Sequence, residues 1–312
     1  MGDVGYVMGK DAGEGRRGLE MTAAALTAVA AAMAVAGSSV RQFGTGPALL
    51  GEGASAFQYV PELVLLAVAA VLMPFRRTFG AAAGLVVAYT PFAWSNAVGN
   101  IEYAFGAEGS MGPGFVVLLS ARVLLVAAAV TAFAALVRDG RLRSAGGGGG
   151  ASWAVTGVCL ALLGLLGEWL PWIRMTTTWT QDGERVSNHL DCCTLFREDV
   201  GLPVSVSMVV AALAAAGMLV LAASTGSRDV AAGLALGVAG WLLPDVLDGV
   251  VQHLTWVPDD PEELRRAWDY DVESFRLLEF AGSQSLLPGM WITLTALVGM
   301  LLFAVGLARR GR

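Results

Sequence analysis

The chain has 312 residues, of which 55% are apolar and only 15% are charged, and its formal net charge at pH 7 is −6. Soluble globular domains carry about 25% charged residues, so this composition excludes an ordinary soluble domain and favours a protein dissolved in a lipid bilayer. The acidic balance also argues against nucleic acid as a partner, because surfaces that bind nucleic acid are basic.

Apolar stretches close to the ~20 residues that cross a bilayer recur along the chain. Hydrocarbon offers the backbone no hydrogen-bonding partner, so each stretch is expected to be a helix rather than a strand of an open sheet. The sequence therefore predicts an all-α, polytopic membrane bundle of about eight transmembrane helices. Hydropathy places them at residues 21–40, 57–75, 80–98, 114–137, 153–172, 204–224, 230–250 and 287–307.

A run of glycines from Gly146 to Gly150 divides these spans into two groups of four. Pro-Gly opens the last span of each group, at Pro113-Gly114 and Pro288-Gly289. We interpret the two groups as a tandem repeat, and an even number of spans per unit would make the units parallel. The predicted organisation is an N-terminal tail (1–20), a first unit (21–143), a linker (144–151), a second unit (152–308) with acidic outer loops (173–203 and 251–286), and a basic tail (309–312).

Basic residues identify one side of the predicted bundle. The positive-inside bias makes this side cytoplasmic, so we expect a multi-pass protein of the plasma membrane with both termini inside. Ala34-Val35-Ala36 before Gly37 also resembles a signal-peptide cleavage site, but the repeat requires this helix, and we expect the first span to be retained. The basic residues of the cytoplasmic side are Lys10, Arg16, Arg17, Arg76, Arg77, Arg138, Arg141, Arg143, Arg228, Arg309, Arg310 and Arg312.

Charged residues inside the predicted spans are the sharpest functional signal, because burying a charge in a membrane is costly. Arg122 lies within the fourth span, and its candidate partners are Glu62, Glu168, Asp245 and Asp248. In one hypothesis Arg122 with Glu168, Asp245 and Asp248 lines a polar cavity that opens to the outside and binds a cation or moves protons. In the other, one acid neutralises Arg122 and the remaining acids face water at helix ends.

Three cysteines are too few for a disulfide framework. Cys192 and Cys193 are adjacent in a predicted outer loop, where a strained vicinal bond or a bond to another chain are the oxidised options. Together with His189 they are also a candidate redox or metal site, although no CxxC spacing supports it. The sequence leaves their oxidation state open.

The outer loop before the last span contains a predicted amphipathic helix. Apolar residues recur there at steps of four and three, at Leu264, Trp268, Val272, Phe275 and Leu278. Such a stripe must pack on something, and the alternatives are a lid over the bundle or a docking site for a protein partner.

The string Gly167-Glu168-Trp169-Leu170-Pro171-Trp172-Ile173-Arg174 and the later Pro288-Gly289-Met290-Trp291 carry a family resemblance. They resemble uncharacterised multi-pass membrane proteins of high-GC Gram-positive bacteria, which are built on a four-helix unit with a Trp-Pro-Trp style exit from its first helix. The resemblance covers mainly the second unit and implies a fold but no activity.

Catalytic motifs are missing from the sequence: it has no nucleophile elbow, no phosphate-binding glycine loop and no HExxH. We therefore expect no cofactor and a non-enzymatic component of a membrane complex or envelope structure. The alternative is a small transporter or channel-like protein that uses Arg122 and the outer acids. An enzyme acting on a lipid-linked substrate is a third hypothesis.

Overall fold

A computed structural model describes residues 7–40, 53–106, 111–142, 151–181, 184–192, 202–255 and 281–310. Within these ranges the chain forms eight helices and three strands. The helices are α1 (Val7–Ser38), α2 (Gly53–Leu72), α3 (Phe79–Gly106), α4 (Pro113–Arg138), α5 (Ala151–Trp169), α6 (Leu202–Ser224), α7 (Arg228–Thr255) and α8 (Pro288–Arg310), and the strands are β1 (Ile173–Gln181), β2 (Glu184–Cys192) and β3 (Ala281–Leu286).

Six of these helices, α1 and α4 to α8, are long and apolar enough to cross a bilayer. In α2 a shorter apolar stretch covers Tyr59–Leu72. Large apolar side chains such as Val71, Val130 and Leu302 are about two-thirds exposed, which suits a surface that contacts lipid. The multi-pass membrane protein predicted from the sequence is thereby confirmed.

Proline starts the last helix of each predicted unit. Pro113 is the first residue of α4 and follows Gly112, which has an extended backbone, and Pro288 is the first residue of α8. A proline in the first turn loses no hydrogen bond, because the first helical N–H groups have no partner within the helix. These two predicted helix starts are confirmed.

The helices α3 and α7 form the centre of the bundle, where they run parallel and pack closely against each other. A Cβ atom on Gly84 would overlap the carbonyl oxygen of Val230, and one on Gly233 would overlap the carbonyl oxygen of Ala81. The two contacts are reciprocal: the shift in residue number that takes Gly84 to Gly233 also takes Ala81 to Val230.

The same shift takes Phe92 of α3 to Trp241 of α7, and these two rings stack on each other. Their centroids are 4.1 Å apart and their planes differ by 7°. A contact between two equivalent residues is the contact that a two-fold axis would pass through. The centre of the bundle therefore has the geometry of a parallel, symmetric helix pair.

Equivalent contacts also occur at the periphery, between α1 and α4 and between α5 and α8. A Cβ atom on Gly37 would lie 3.0 Å from the Leu118 nitrogen and 3.2 Å from the Gly114 oxygen. One on Gly167 would lie 2.7 Å from the Thr293 nitrogen and 3.1 Å from the Gly289 oxygen. A single shift in residue number takes Gly114 to Gly289 and also takes Leu118 to Thr293, so the two contacts involve equivalent partners on α4 and α8.

The turns that join α2 to α3 and α6 to α7 lie at one end of the bundle, here called the arginine end. Arg141, which follows α4, donates hydrogen bonds to Asp229 Oδ2 (2.7 Å) and to the carbonyl oxygen of Arg76 (2.8 Å). Its own carbonyl oxygen accepts a hydrogen bond from Ser227 Oγ. This one residue thus links turns from both halves of the chain.

The opposite end carries a small antiparallel sheet and is here called the sheet end. Its strand order is β2-β1-β3, so the strand after α5 pairs with the strand before α8. We expected an all-α chain with only polar loops at 173–203 and 251–286. This expectation is wrong for the residues of β1, β2 and β3, which form strands. The predicted linker at 144–150 lies outside the described residues.

Candidate functional site

Arg122 lies on the buried face of α4, about two and a half turns from the sheet end. It forms a two-point ion pair with Glu62 of α2, through Nη1 to Oε1 and through Nη2 to Oε2 at 2.8 Å. The exposed fractions of the two side chains are 7% and 5%. Of the four candidate acids, the structure therefore pairs Arg122 with Glu62.

Tyr59 and Tyr89 lie close enough to this pair to interact with it electrostatically. Beside it is a cleft of about 20 Å³, enough space for a single water molecule. A pair that is neutral overall and has so little free volume around it fits a structural ion pair. The cleft is lined by Tyr59, Ala97, Phe115, Leu118, Leu119 and Arg122.

Glu168 occupies a different environment, in the last turn of α5 at the sheet end. Its exposed fraction is 4%, and its Oε1 atom is buried without a hydrogen-bond partner among the described residues. Its carboxyl interacts electrostatically with Asp245 of α7 and is within hydrogen-bonding reach of the Thr293 hydroxyl on α8. The sequence did not single out Thr293, which is completely buried.

Asp245 and Asp248 follow Pro244 inside α7 and share one face of that helix, as their spacing predicts. Both are partly buried and interact with each other. The structure therefore separates the predicted polar cluster into two groups. Arg122 and Glu62 lie on α4 and α2, while Glu168, Asp245 and Asp248 lie on α5 and α7.

Neighbouring carboxylates in the apolar part of a bundle repel each other, and a bound proton or cation removes this repulsion. In the part of the chain that the structure describes, no three His, Cys, Asp or Glu side chains are arranged to hold a metal ion. A proton needs no such arrangement. Glu168 and Asp245 are neighbouring buried carboxyls of the kind that binds a proton.

Trp172 fixes the position of Glu168. α5 ends at Trp169, and Pro171 follows two residues later. The buried Trp172 ring folds back onto the helix, so that its Nε1 donates to the Gly167 carbonyl oxygen at 2.9 Å. The Trp172 carbonyl oxygen accepts a hydrogen bond from the Leu287 nitrogen at 2.7 Å. The exit from α5 is thereby tied to the start of α8.

We predict that Trp172→Phe, which keeps an aromatic ring but removes the Nε1 donor, lowers the free energy of unfolding by about 1 kcal/mol. Thermal unfolding in detergent would measure the loss. Trp291→Phe is the control, because Trp291 is 55% exposed and the same substitution there acts at the surface. Equal stability of the two variants would contradict the role assigned to Trp172.

The sheet carries an exposed ion pair, in which Arg174 donates to both carboxylate oxygens of Asp191 at 2.6 and 2.8 Å. This guanidinium holds the pKa of Asp191 below its usual range. The pair therefore persists at neutral pH and is lost only as the pH falls through that lowered pKa. Being exposed, it contributes little to stability.

The structure describes only some of the candidate redox or metal residues. His189 Nδ1 lies 2.9 Å from the Thr176 hydroxyl across the sheet. Cys193 lies outside the described residues, as do the residues of the predicted amphipathic helix (Leu264, Trp268, Val272 and Phe275). The thiol site and the outer docking helix both stay predictions.

We also compared the chain with known proteins and found no relative. The chain matches no protein-family model, no curated protein and no solved structure.

Proposed function

We propose that this protein is an eight-span plasma-membrane transporter built from two parallel four-helix units, with both termini in the cytoplasm. The reciprocal contacts of α3 with α7, and the equivalent contacts of Gly37 and Gly167, support the repeat. The arginines at one end support the orientation, with the sheet end outside. The resemblance to multi-pass proteins of Gram-positive bacteria is part of this proposal.

A proton-binding site in the second unit is the basis of the transport activity. The observation that carries it is the buried Glu168 carboxyl, with one oxygen lacking a partner among the described residues and Asp245 beside it. Within a membrane, isolated carboxyls of this kind mark proton relays and ion pathways. Thr293 and Asp248 are the other polar groups that face these two acids.

Arg122 has no direct part in this activity. Its charge is balanced by Glu62, so the Arg122 charge is not available to neutralise Glu168 or Asp245. The transporter hypothesis of the sequence analysis included Arg122 and all the outer acids. We now restrict the proposed transport site to Glu168, Asp245 and Asp248 in the second unit.

Proton flux into liposomes tests the function directly. The purified chain would be reconstituted with a pH-sensitive dye inside the vesicles, and a potassium diffusion potential would drive protons inward. We expect wild-type flux above that of empty vesicles. Glu168→Gln and Asp245→Asn should each lower it by about tenfold, because both remove a titrating carboxyl while keeping its size.

Asp191→Asn is the matched control, since it removes an exposed carboxylate at the same end of the protein. Its flux should equal that of the wild type. If the wild type carries no flux, or if Glu168→Gln and Asp245→Asn leave the flux unchanged, the proton site is refuted. The remaining hypothesis would then be a non-enzymatic component of a membrane complex, whose expected docking helix lies outside the described residues.

A further inference from the structure

A second polar cavity lies at the arginine end of the first unit, far along the helices from the proton site. Its volume is about 610 Å³, and it opens between the beginning of α1, the turn after α2 and the end of α4. It is lined by Arg17, Glu20, Met21, Pro74, Phe75, Arg76, Arg77 and Asp139.

The rim of this cavity is basic. Arg17, Arg76 and Arg77 are exposed, so their guanidinium groups are accessible from solvent. A guanidinium presents paired N–H donors that match the oxygens of a phosphate group. The rim therefore suits a phosphate.

The interior of the cavity is acidic. Glu20 is 7% exposed, and its carboxyl is within hydrogen-bonding reach of the Asp139 side chain. Asp139 Oδ1 is buried and has no hydrogen-bond partner among the described residues. Arg141 and Arg76 act electrostatically on Glu20, and the second carboxyl beside it favours a further donor that carries positive charge.

Apolar side chains flank the opening. Met21 is 48% exposed and Phe75 is 61% exposed. They lie where the apolar parts of α1 and α2 meet the arginine end. A ligand with a hydrocarbon tail would contact these side chains, whereas a free phosphate would not.

We propose that this cavity binds the headgroup of an aminophospholipid. The arginines bind its phosphate, the ammonium donates to Asp139 and Glu20, and the acyl chains lie against Met21 and Phe75. A headgroup with phosphate but without an N–H donor would satisfy the rim and leave the carboxyls of Glu20 and Asp139 without a cationic donor.

Native mass spectrometry of the full-length protein in detergent tests this proposal. The protein would be titrated with phosphatidylethanolamine, phosphatidylcholine or phosphatidylglycerol of identical acyl chains. We expect phosphatidylethanolamine to bind about tenfold more tightly than phosphatidylcholine, since one charge-assisted hydrogen bond accounts for a difference of this size. Asp139→Asn should remove this preference, and Arg17→Gln should weaken the binding of all three lipids.

Arg309→Gln is the matched control, because Arg309 is exposed at the same end but does not line the cavity. Arg17 is exposed, so its substitution keeps the packing intact, and a thermal unfolding scan of each variant would verify this. Three results would overturn the proposal: equal affinity for phosphatidylethanolamine and phosphatidylcholine, a preference for phosphatidylglycerol, or displacement of the lipid by inorganic phosphate. The last would identify a site for free phosphate.

Discussion

Glu62→Gln is expected to destabilise the protein strongly, by about 3–5 kcal/mol. The substitution leaves the Arg122 guanidinium charged in a position where its side chain is only 7% exposed. Such a charge has lost its hydration, and Glu62 is the carboxylate that compensates it among the described residues. The loss would be measured as a lower unfolding temperature in detergent, followed by tryptophan fluorescence.

The double variant Glu62→Leu with Arg122→Met provides the rescue. Replacing a whole buried ion pair by apolar side chains of similar size is often neutral, because the desolvation cost of both charges disappears together. We therefore expect the double variant to recover most of the lost stability. Its proton flux should also match the wild type, since the proposed proton site excludes Arg122.

Asp191→Asn serves as the control for loss of a carboxylate. It breaks the exposed pair with Arg174 and should change the unfolding temperature little. If Glu62→Gln were as stable as Asp191→Asn, Arg122 would have another partner or access to water. Loss of flux in a well-folded double variant would instead return Arg122 to the transport pathway.

The sequence predicted the helices well because their signal is strong and local. Long apolar stretches define their own length in a bilayer, and Pro113 and Pro288 mark helix starts by a chemical rule that needs no tertiary information. The partner of Arg122 was not predictable in this way. Four acids lay at similar depth, and only the packing of α2 against α1, α3 and α7, which brings Glu62 within reach of Arg122, selects Glu62.

The sheet was missed although the sequence carries a signal for it. Thr176, Thr177 and Thr178 precede Trp179, and β-branched and aromatic residues favour strands. Asp182-Gly183 is a dipeptide typical of two-residue hairpin connections. Hydropathy treats such a segment only as polar, so a search for spans assigns it to a loop.

The central helix pair also had a sequence signal that comparison of the last spans did not reveal. Ala82-Ala83-Gly84-Leu85 in α3 is identical to Ala231-Ala232-Gly233-Leu234 in α7. An identity of four such common residues is weak evidence that two helices are equivalent, because the whole chain is rich in alanine and glycine. Their meaning comes from the close approach of the two backbones, which is a tertiary property.

Gly233→Ala is the second substitution with a large expected effect. Its Cβ atom would overlap the Ala81 carbonyl oxygen, so α3 and α7 must move apart. Overpacking of this kind costs about 1–3 kcal/mol, and the rigid backbone on the other side favours the upper end of that range. The change would be measured by thermal unfolding in detergent, as for Glu62→Gln.

Gly217→Ala is the matched control, because a Cβ atom there meets no other atom within 4 Å. In the interior of α6 this substitution should stabilise the helix by up to about 1 kcal/mol, since alanine has the higher helix propensity. The same chemical change is thus predicted to have opposite signs at Gly233 and Gly217. A stabilising effect at Gly233 would show that the two central helices are not in contact there.

The reciprocal contacts of Gly84 and Gly233 also predict how the two glycine substitutions combine. Gly84→Ala should cost about as much as Gly233→Ala, because each glycine contacts the residue equivalent to the other's partner. The double variant should cost less than the sum of the two, since helices already separated by one methyl group accommodate the second more easily. Full additivity would instead mean that the two glycines act at independent sites, which would contradict a single symmetric crossing of α3 and α7.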